Sequence, residues 1–124
     1  NVVFGGGVAV RQFVRIGEGA MIVGLSGVRA DVIPFAMAQG PLANLVGLNV
    51  VGMRRRGLSK SDIHRVRAAY EALFFGEGAF RARIDKVATE FGDEALVGKI
   101  IAFIRAGKRP FTMAIKRGEA DEDA

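Results

Sequence analysis

The sequence has no cysteine and no tryptophan, and only one tyrosine, one histidine and three prolines in 124 residues. Without a thiol there is no disulfide scaffold, no thiolate metal site and no cysteine nucleophile. The one histidine, His64, has no second histidine or cysteine with which to share a metal, so it reads as an ordinary helix-surface residue. No run approaches the ~18 apolar residues of a membrane helix, and no basic stretch followed by an apolar one opens the chain. The expectation is a soluble protein; an intracellular home is compatible with these absences but not required by them, and no cofactor is expected. Asn-Gly dipeptides are missing as well, which argues against tight hairpins.

What is present is apolar and rich in glycine. Half of the residues are hydrophobic, enough to bury the core of about one domain, and the 17 glycines fall mostly in the first half. The net charge is +5 even though the chain ends in "GEADEDA", so the body is more basic than the total implies. That acidic tail, 116–124, reads as solvated and disordered. A basic body suits nucleic acid, phosphorylated small molecules or an acidic protein partner. Nucleic acid fits worst, because the phenylalanines sit at core spacing and no stacking platform or helix-turn-helix is evident.

Two interlocked registers of period six run through the first forty residues. One comprises Phe4, Val10, Ile16, Ile22, Val28 and Pro34; the other, of small or β-branched residues, comprises Val8, Val14, Ala20, Ser26, Val32 and Ala38. Six is neither the 3.6 of a helix nor the 2 of a simple strand, and hexapeptide repeats mark a parallel β-helix. Each hexad would form one flat side of a triangular coil, its large aliphatic pointing inward and its backbone bonded to the coil above. Gly5, Gly17, Gly24 and Gly27 then serve corners or places of close backbone approach. A Gly-rich β-sandwich is the competing fold, and it does not explain the six-residue coincidence. Two coils are fewer than a solenoid normally needs, so the expectation is the C-terminal part of a longer protein.

An irregular connecting segment, 41–57, would close the coils. The second half then turns helical. Ser59 followed by Asp62 forms a capping box, and Ile63, Val66, Tyr70, Leu73 and Phe74 keep helical spacing until Gly76. A second helix is predicted from about Ala79 to Phe91 with Phe80, Ile84 and Val87 on one face, and a third from Asp93 to Gly107. Residues 58–115 are thus expected to be a small α-helical domain.

The stretch "QGPLANLVGLNVVGMRRRGLSKSDIHRVRAAY" carries a more specific pattern. A hexapeptide region leaving through "QG", followed by "GLN", "RRRG" and a helix containing "R" and "AY", resembles the acyl-acyl carrier protein: UDP-N-acetylglucosamine O-acyltransferases, enzymes of the first step of lipid A biosynthesis. The resemblance covers nearly the whole chain and corresponds to that family's last coils and helical domain. It implies a homotrimer of left-handed β-helices, an exception to the usual right-handed crossover. It also implies transfer of an (R)-3-hydroxyacyl group from acyl carrier protein to the sugar 3-hydroxyl. A histidine base and a backbone-amide oxyanion donor belong to that chemistry. His64 does not match the base, which is expected before Asn1.

By position, Gln12 in "VRQF" matches a sugar-contacting glutamine, although Arg11 stands where the family commonly has histidine. Gly24 in "IVGLSG" matches a glycine whose missing side chain leaves room at the lipid end. Asn49, Arg55 and Arg56 match residues near the uridine and diphosphate, where guanidinium groups give bidentate, charge-assisted bonds. Val51 stands where the family often has an acid. Arg67 in "VRAAY" matches a basic residue facing acyl carrier protein, whose acidity a basic face would steer.

Without the resemblance, Arg54 to Arg56 reads as a solvated charge run, Gln12 as a rung of a polar surface ladder and Gly24 as a corner glycine. Two other functions stay open: a hexapeptide acyltransferase with a different acceptor, and a non-catalytic trimerisation module.

Overall fold

A computed structural model of the chain describes residues 2–115. Five short strands stack in parallel: β1 (Val3–Phe4), β3 (Met21–Ile22) and β5 (Ala36–Gln39) in one ladder, β2 (Ala9–Val10) and β4 (Gly27–Val28) in another. Phe4 lies on Ile22 and Val10 on Val28, three hexads apart in both pairs, so the period of the sequence is the register of the ladder. Ile22 and Val28 are buried, as expected of the inward series, whereas Phe4 and Val10 of the same series are exposed.

The turns recur with the same period. Gly7, Phe13, Gly19 and Leu25 all take left-handed φ values, between 64° and 70°, and Phe35 takes 66°. Glycine adopts this conformation freely, whereas each of the other three costs about 1–2 kcal/mol that the packed ladder must offset. Gly5, Gly17 and Gly27 are sites of close approach instead: a Cβ there would strike the backbone of Gly24, Pro34 and Pro41.

One expectation fails in the second passage. Ile16 pairs with Val32, not with Pro34, and Met21 with Met37, two residues short of three hexads. The turn after Val28 is two residues shorter than the one after Val10, and Asp31 within it bonds to the end of the helical half. Asp31 donates its N–H to Pro110 O (3.1 Å) and accepts from Thr112 N (2.7 Å).

Residues 41–57, expected to be irregular, are ordered. β6 (Asn44–Leu48) runs antiparallel to β5 across the turn at Gly40, and Gly47, at φ 146°, sits where the register slips. α1 (Val50–Arg55) follows. Apolar residues on both faces of β6 found partners that the sequence alone did not reveal.

α2 (Lys60–Phe75) begins with the expected capping box, Ser59 Oγ accepting from Asp62 N at 3.0 Å. α3 (Phe80–Glu90) and α4 (Ala95–Ala106) have no side-chain cap; Asp93 does not start α4, whose N-cap is Glu94. The three helices pack on one another, and a single apolar core runs from Ile22, Phe35 and Leu45 through Met53 to Leu73, Val97 and Ile100. Residues 110–115 return to the ladder, forming bridges at Asp31 and Leu45. Arg15 secures that return: its Nε donates to Asp31 Oδ2 (3.0 Å), its Nη2 to Phe103 O (2.9 Å), and its guanidinium lies 4.1 Å from the Phe103 ring centre. Among the described residues no helix is long and apolar enough to cross a membrane. The acidic tail lies outside the described residues.

Candidate functional site

A depression of about 320 Å³ opens between the Gly19 and Phe35 turns and α1, lined among others by Asn49, Gly52, Arg55 and Arg56. Asn49 builds it. Its backbone N–H donates to Phe35 O (2.7 Å), its Nδ2 to Gly19 O (2.9 Å), and its Oδ1 accepts from Gly52 N (3.1 Å). A Cβ on Gly52 would collide with the Asn49 amide, so the pair Asn49/Gly52 fixes how α1 leaves the sheet. Asn49 is buried and engaged at both ends of its amide, which makes it the floor and hinge of the site.

The two arginines differ. Arg56 folds back over Phe35, its guanidinium carbon 5.4 Å from the ring centre, and donates from Nη2 to Glu18 Oε2 at 2.8 Å. Lys99 of α4 reaches the same carboxylate, Nζ to Oε1 3.1 Å. The hydrogen bond from Arg56, and then that from Lys99, hold the Glu18 carboxyl below its ordinary pKa against a smaller opposing effect of burial. Arg55, on the rim, is exposed and has no carboxylate partner among the described residues. The cluster Arg55, Arg56, Lys99 and Glu18 carries a net positive charge over an aromatic and amide floor, an arrangement that can take a phosphate oxygen without a metal.

The structure thus brings together Asn49, Arg55 and Arg56, and it leaves the other candidates elsewhere. Gln12 is exposed at the Phe13 turn, and Gly24 is exposed beside the Leu25 turn, where a Cβ would stand 3.1 Å from Gly6 O. Arg67 lines a second depression, about 300 Å³, between β6 and α2 with Tyr70, Glu71 and Phe75. Burial, and secondarily the Glu71 charge, push the Tyr70 hydroxyl well above its ordinary pKa, so it is a neutral donor. Arg54 and His64 are exposed, and Val51 faces outward from α1 with no acid in that turn. Among the described residues no cluster could hold a metal.

Sequence reasoning missed Glu18, Lys99 and Phe35. Glu18 precedes a turn glycine and Lys99 looks like any solvated helix lysine, so only the contact across the chain marks them. A left-handed phenylalanine has no sequence signal.

A family model described as UDP N-acetylglucosamine O-acyltransferase, domain 2, matches residues 31–112. The chain is 44% identical over 119 residues to the acyl-[acyl-carrier-protein]–UDP-N-acetylglucosamine O-acyltransferase of Rhizobium etli, covering 96% of this chain and 44% of that protein. It is 51% identical over 97 residues to the same enzyme of Azorhizobium caulinodans, covering 77% and 36%. Among solved structures it resembles the UDP-N-acetylglucosamine acyltransferase of Campylobacter jejuni, with a TM-score of 0.83 and 34% identity over 93% of this chain and 44% of that one. The Arabidopsis enzyme gives 0.84 and 30% over 91% and 42%. The chain therefore spans less than half the length of these relatives.

Proposed function

The chain belongs to the UDP-N-acetylglucosamine O-acyltransferase family, and on that premise we propose that it is part of an enzyme that acylates the 3-position of UDP-N-acetylglucosamine from acyl carrier protein. The acyl group is an (R)-3-hydroxyacyl chain and the step is the first of lipid A biosynthesis, in the cytoplasm. The parallel ladders, with turns every six residues, support coils of a left-handed β-helix for residues 1–40, followed by the helical domain 58–115. Apolar residues thrust outward at the turns, Phe13 at 69% exposure and Leu25 at 81%, support assembly into a homotrimer with sites between subunits.

In this reading the sugar 3-hydroxyl attacks the thioester carbonyl, a histidine takes its proton, and the carrier thiolate leaves with a proton returned to it. The present residues do the binding. Arg55 and Arg56 take the diphosphate at the depression that Asn49 builds, Gln12 the sugar, Gly24 leaves room for the acyl end, and Arg67 faces the carrier protein. His64, alone on an α2 surface, is not assigned as the base, which is proposed to lie outside these 124 residues.

The observation that carries the proposal is the meeting of Asn49, Arg55 and Arg56 at one depression. Acyl transfer measured with a carrier-protein thioester and a panel of UDP-sugars tests it. The full-length protein should turn over UDP-N-acetylglucosamine and the isolated chain should not. Turnover by the isolated chain would contradict the location of the base, and a preference for another acceptor would move the protein to a different hexapeptide acyltransferase activity.

A further inference from the structure

Glu18 is assigned no ligand contact in the reading above, yet donors from two helices converge on its carboxylate. Arg56 comes from the end of α1, Lys99 from the middle of α4, and Glu18 from the turn that Gly19 closes. Both ion pairs are solvent-accessible, and pairs of that exposure add next to nothing to stability. Their effect is geometric. An arginine side chain has many rotamers, and Arg56 is restricted twice: the Phe35 ring, its centre 5.4 Å from the guanidinium carbon, flanks it on one side, and the bond from Nη2 to Glu18 ties its end to the Gly19 turn. The Nε and Nη1 groups bond to no acceptor among the described residues, leaving donors for phosphate oxygens.

We infer that Glu18 is a positioning residue, holding Arg56 so that its remaining N–H groups face a phosphate of a bound nucleoside diphosphate, with Lys99 as the counter-cation that offsets the carboxylate. The inference rests on the nucleotide reading of the Asn49, Arg55 and Arg56 depression. A carboxylate beside a phosphate would by itself repel the ligand. Lys99, 3.1 Å from the same carboxylate, offsets that repulsion, and the trio keeps a net charge of one positive unit. Ordering Arg56 before binding removes a cost that the ligand would otherwise meet.

Calorimetric titration of UDP into the full-length protein tests this, with Glu18→Gln, Arg56→Ala and the double variant. Glu18→Gln is nearly isosteric, its side chain is 39% exposed, and it should leave the thermal midpoint unchanged. It should weaken UDP binding roughly three- to tenfold, the cost of ordering one rotamer-rich side chain, and have no further effect once Arg56 is alanine. Glu18→Asp, with the charge drawn back from Nη2, should fall between Glu18→Gln and wild type. Unchanged or tighter binding by Glu18→Gln, while Arg56→Ala still weakens it, would overturn the inference and leave the nucleotide site standing. Equal losses in the two backgrounds would make Glu18 a contact independent of Arg56 and also overturn it. UDP binding that is absent in wild type, or indifferent to both Arg55→Ala and Arg56→Ala, would remove the nucleotide site itself, and this inference with it.

Discussion

Arg55 and Arg56 are neighbours in the chain with different electrostatic surroundings. Arg56 is held by Glu18 and Phe35, whereas Arg55 sits on the rim with no carboxylate partner among the described residues. The rim charge is the one a diphosphate gains most from. Arg55→Ala should raise the KM for UDP-N-acetylglucosamine by about one to two orders of magnitude, the ~1.5–3 kcal/mol of a charge-assisted hydrogen bond, with kcat nearly unchanged. Steady-state kinetics of the full-length variant checks it; an unchanged KM would take Arg55 out of the site. The linkage at Glu18 works in one direction. Its folded pKa is below the ordinary 4.5, so whatever the ion cluster contributes is complete above that value and is lost only as the pH falls through the lowered one. At neutral pH the cluster stays intact.

At the scale of elements, the helices obtain their ends by different means. α2 has a reciprocal capping box, with Ser59 Oγ receiving Asp62 N–H and Asp62 Oδ2 receiving Ser59 N–H. α3 and α4 lack side-chain caps and depend on packing through Val87, Val97, Ile100 and Ile104. Ser59→Ala should therefore lower stability by about 0.5–2 kcal/mol, seen as a lower urea midpoint with the slope m unchanged. An unaltered midpoint would mean that tertiary contacts alone hold the start of α2. The capping box was legible because its four residues are consecutive and its chemistry is local. β6 was not, since Leu45, Val46 and Leu48 do not alternate along the chain, and Leu45 and Leu48 pair with β5 only across the register shift beside Gly47.

For the whole molecule, the decisive contact joins the ladder to the last residues described. Asp31, 1% exposed in its side chain, accepts from the backbone and Nε of Arg15, and its backbone pairs with the return segment at Thr112. A Cβ on Gly107 would strike the Arg15 guanidinium, so that glycine lets the arginine pass to Phe103 O. Arg15→Met keeps the aliphatic stem but not the guanidinium, and leaves the Asp31 carboxylate buried without its cation. It should destabilise the fold by about 2–3 kcal/mol, somewhat less than removing a partner from a fully buried pair, because Arg15 is itself 36% exposed. Denaturant unfolding measures this. A loss within a few tenths of a kcal/mol would show that Asp31 gains water or a second donor when Arg15 is gone.

The sequence by itself determined the hexad register, the extents of α2, α3 and α4 to within a residue or two, and the family, because each depends on spacing along a contiguous stretch. The tertiary structure decided the rest. It joined the short second passage at Asp31 to a segment about eighty residues downstream, which supplies its hydrogen bonds. It turned three non-glycine residues left-handed, since the packed ladder offsets a strain that no local preference would choose. It also distinguished Arg55 from Arg56, which the chain presents as equals, by bringing a carboxylate from one distant turn and an ammonium from another helix to only one of them.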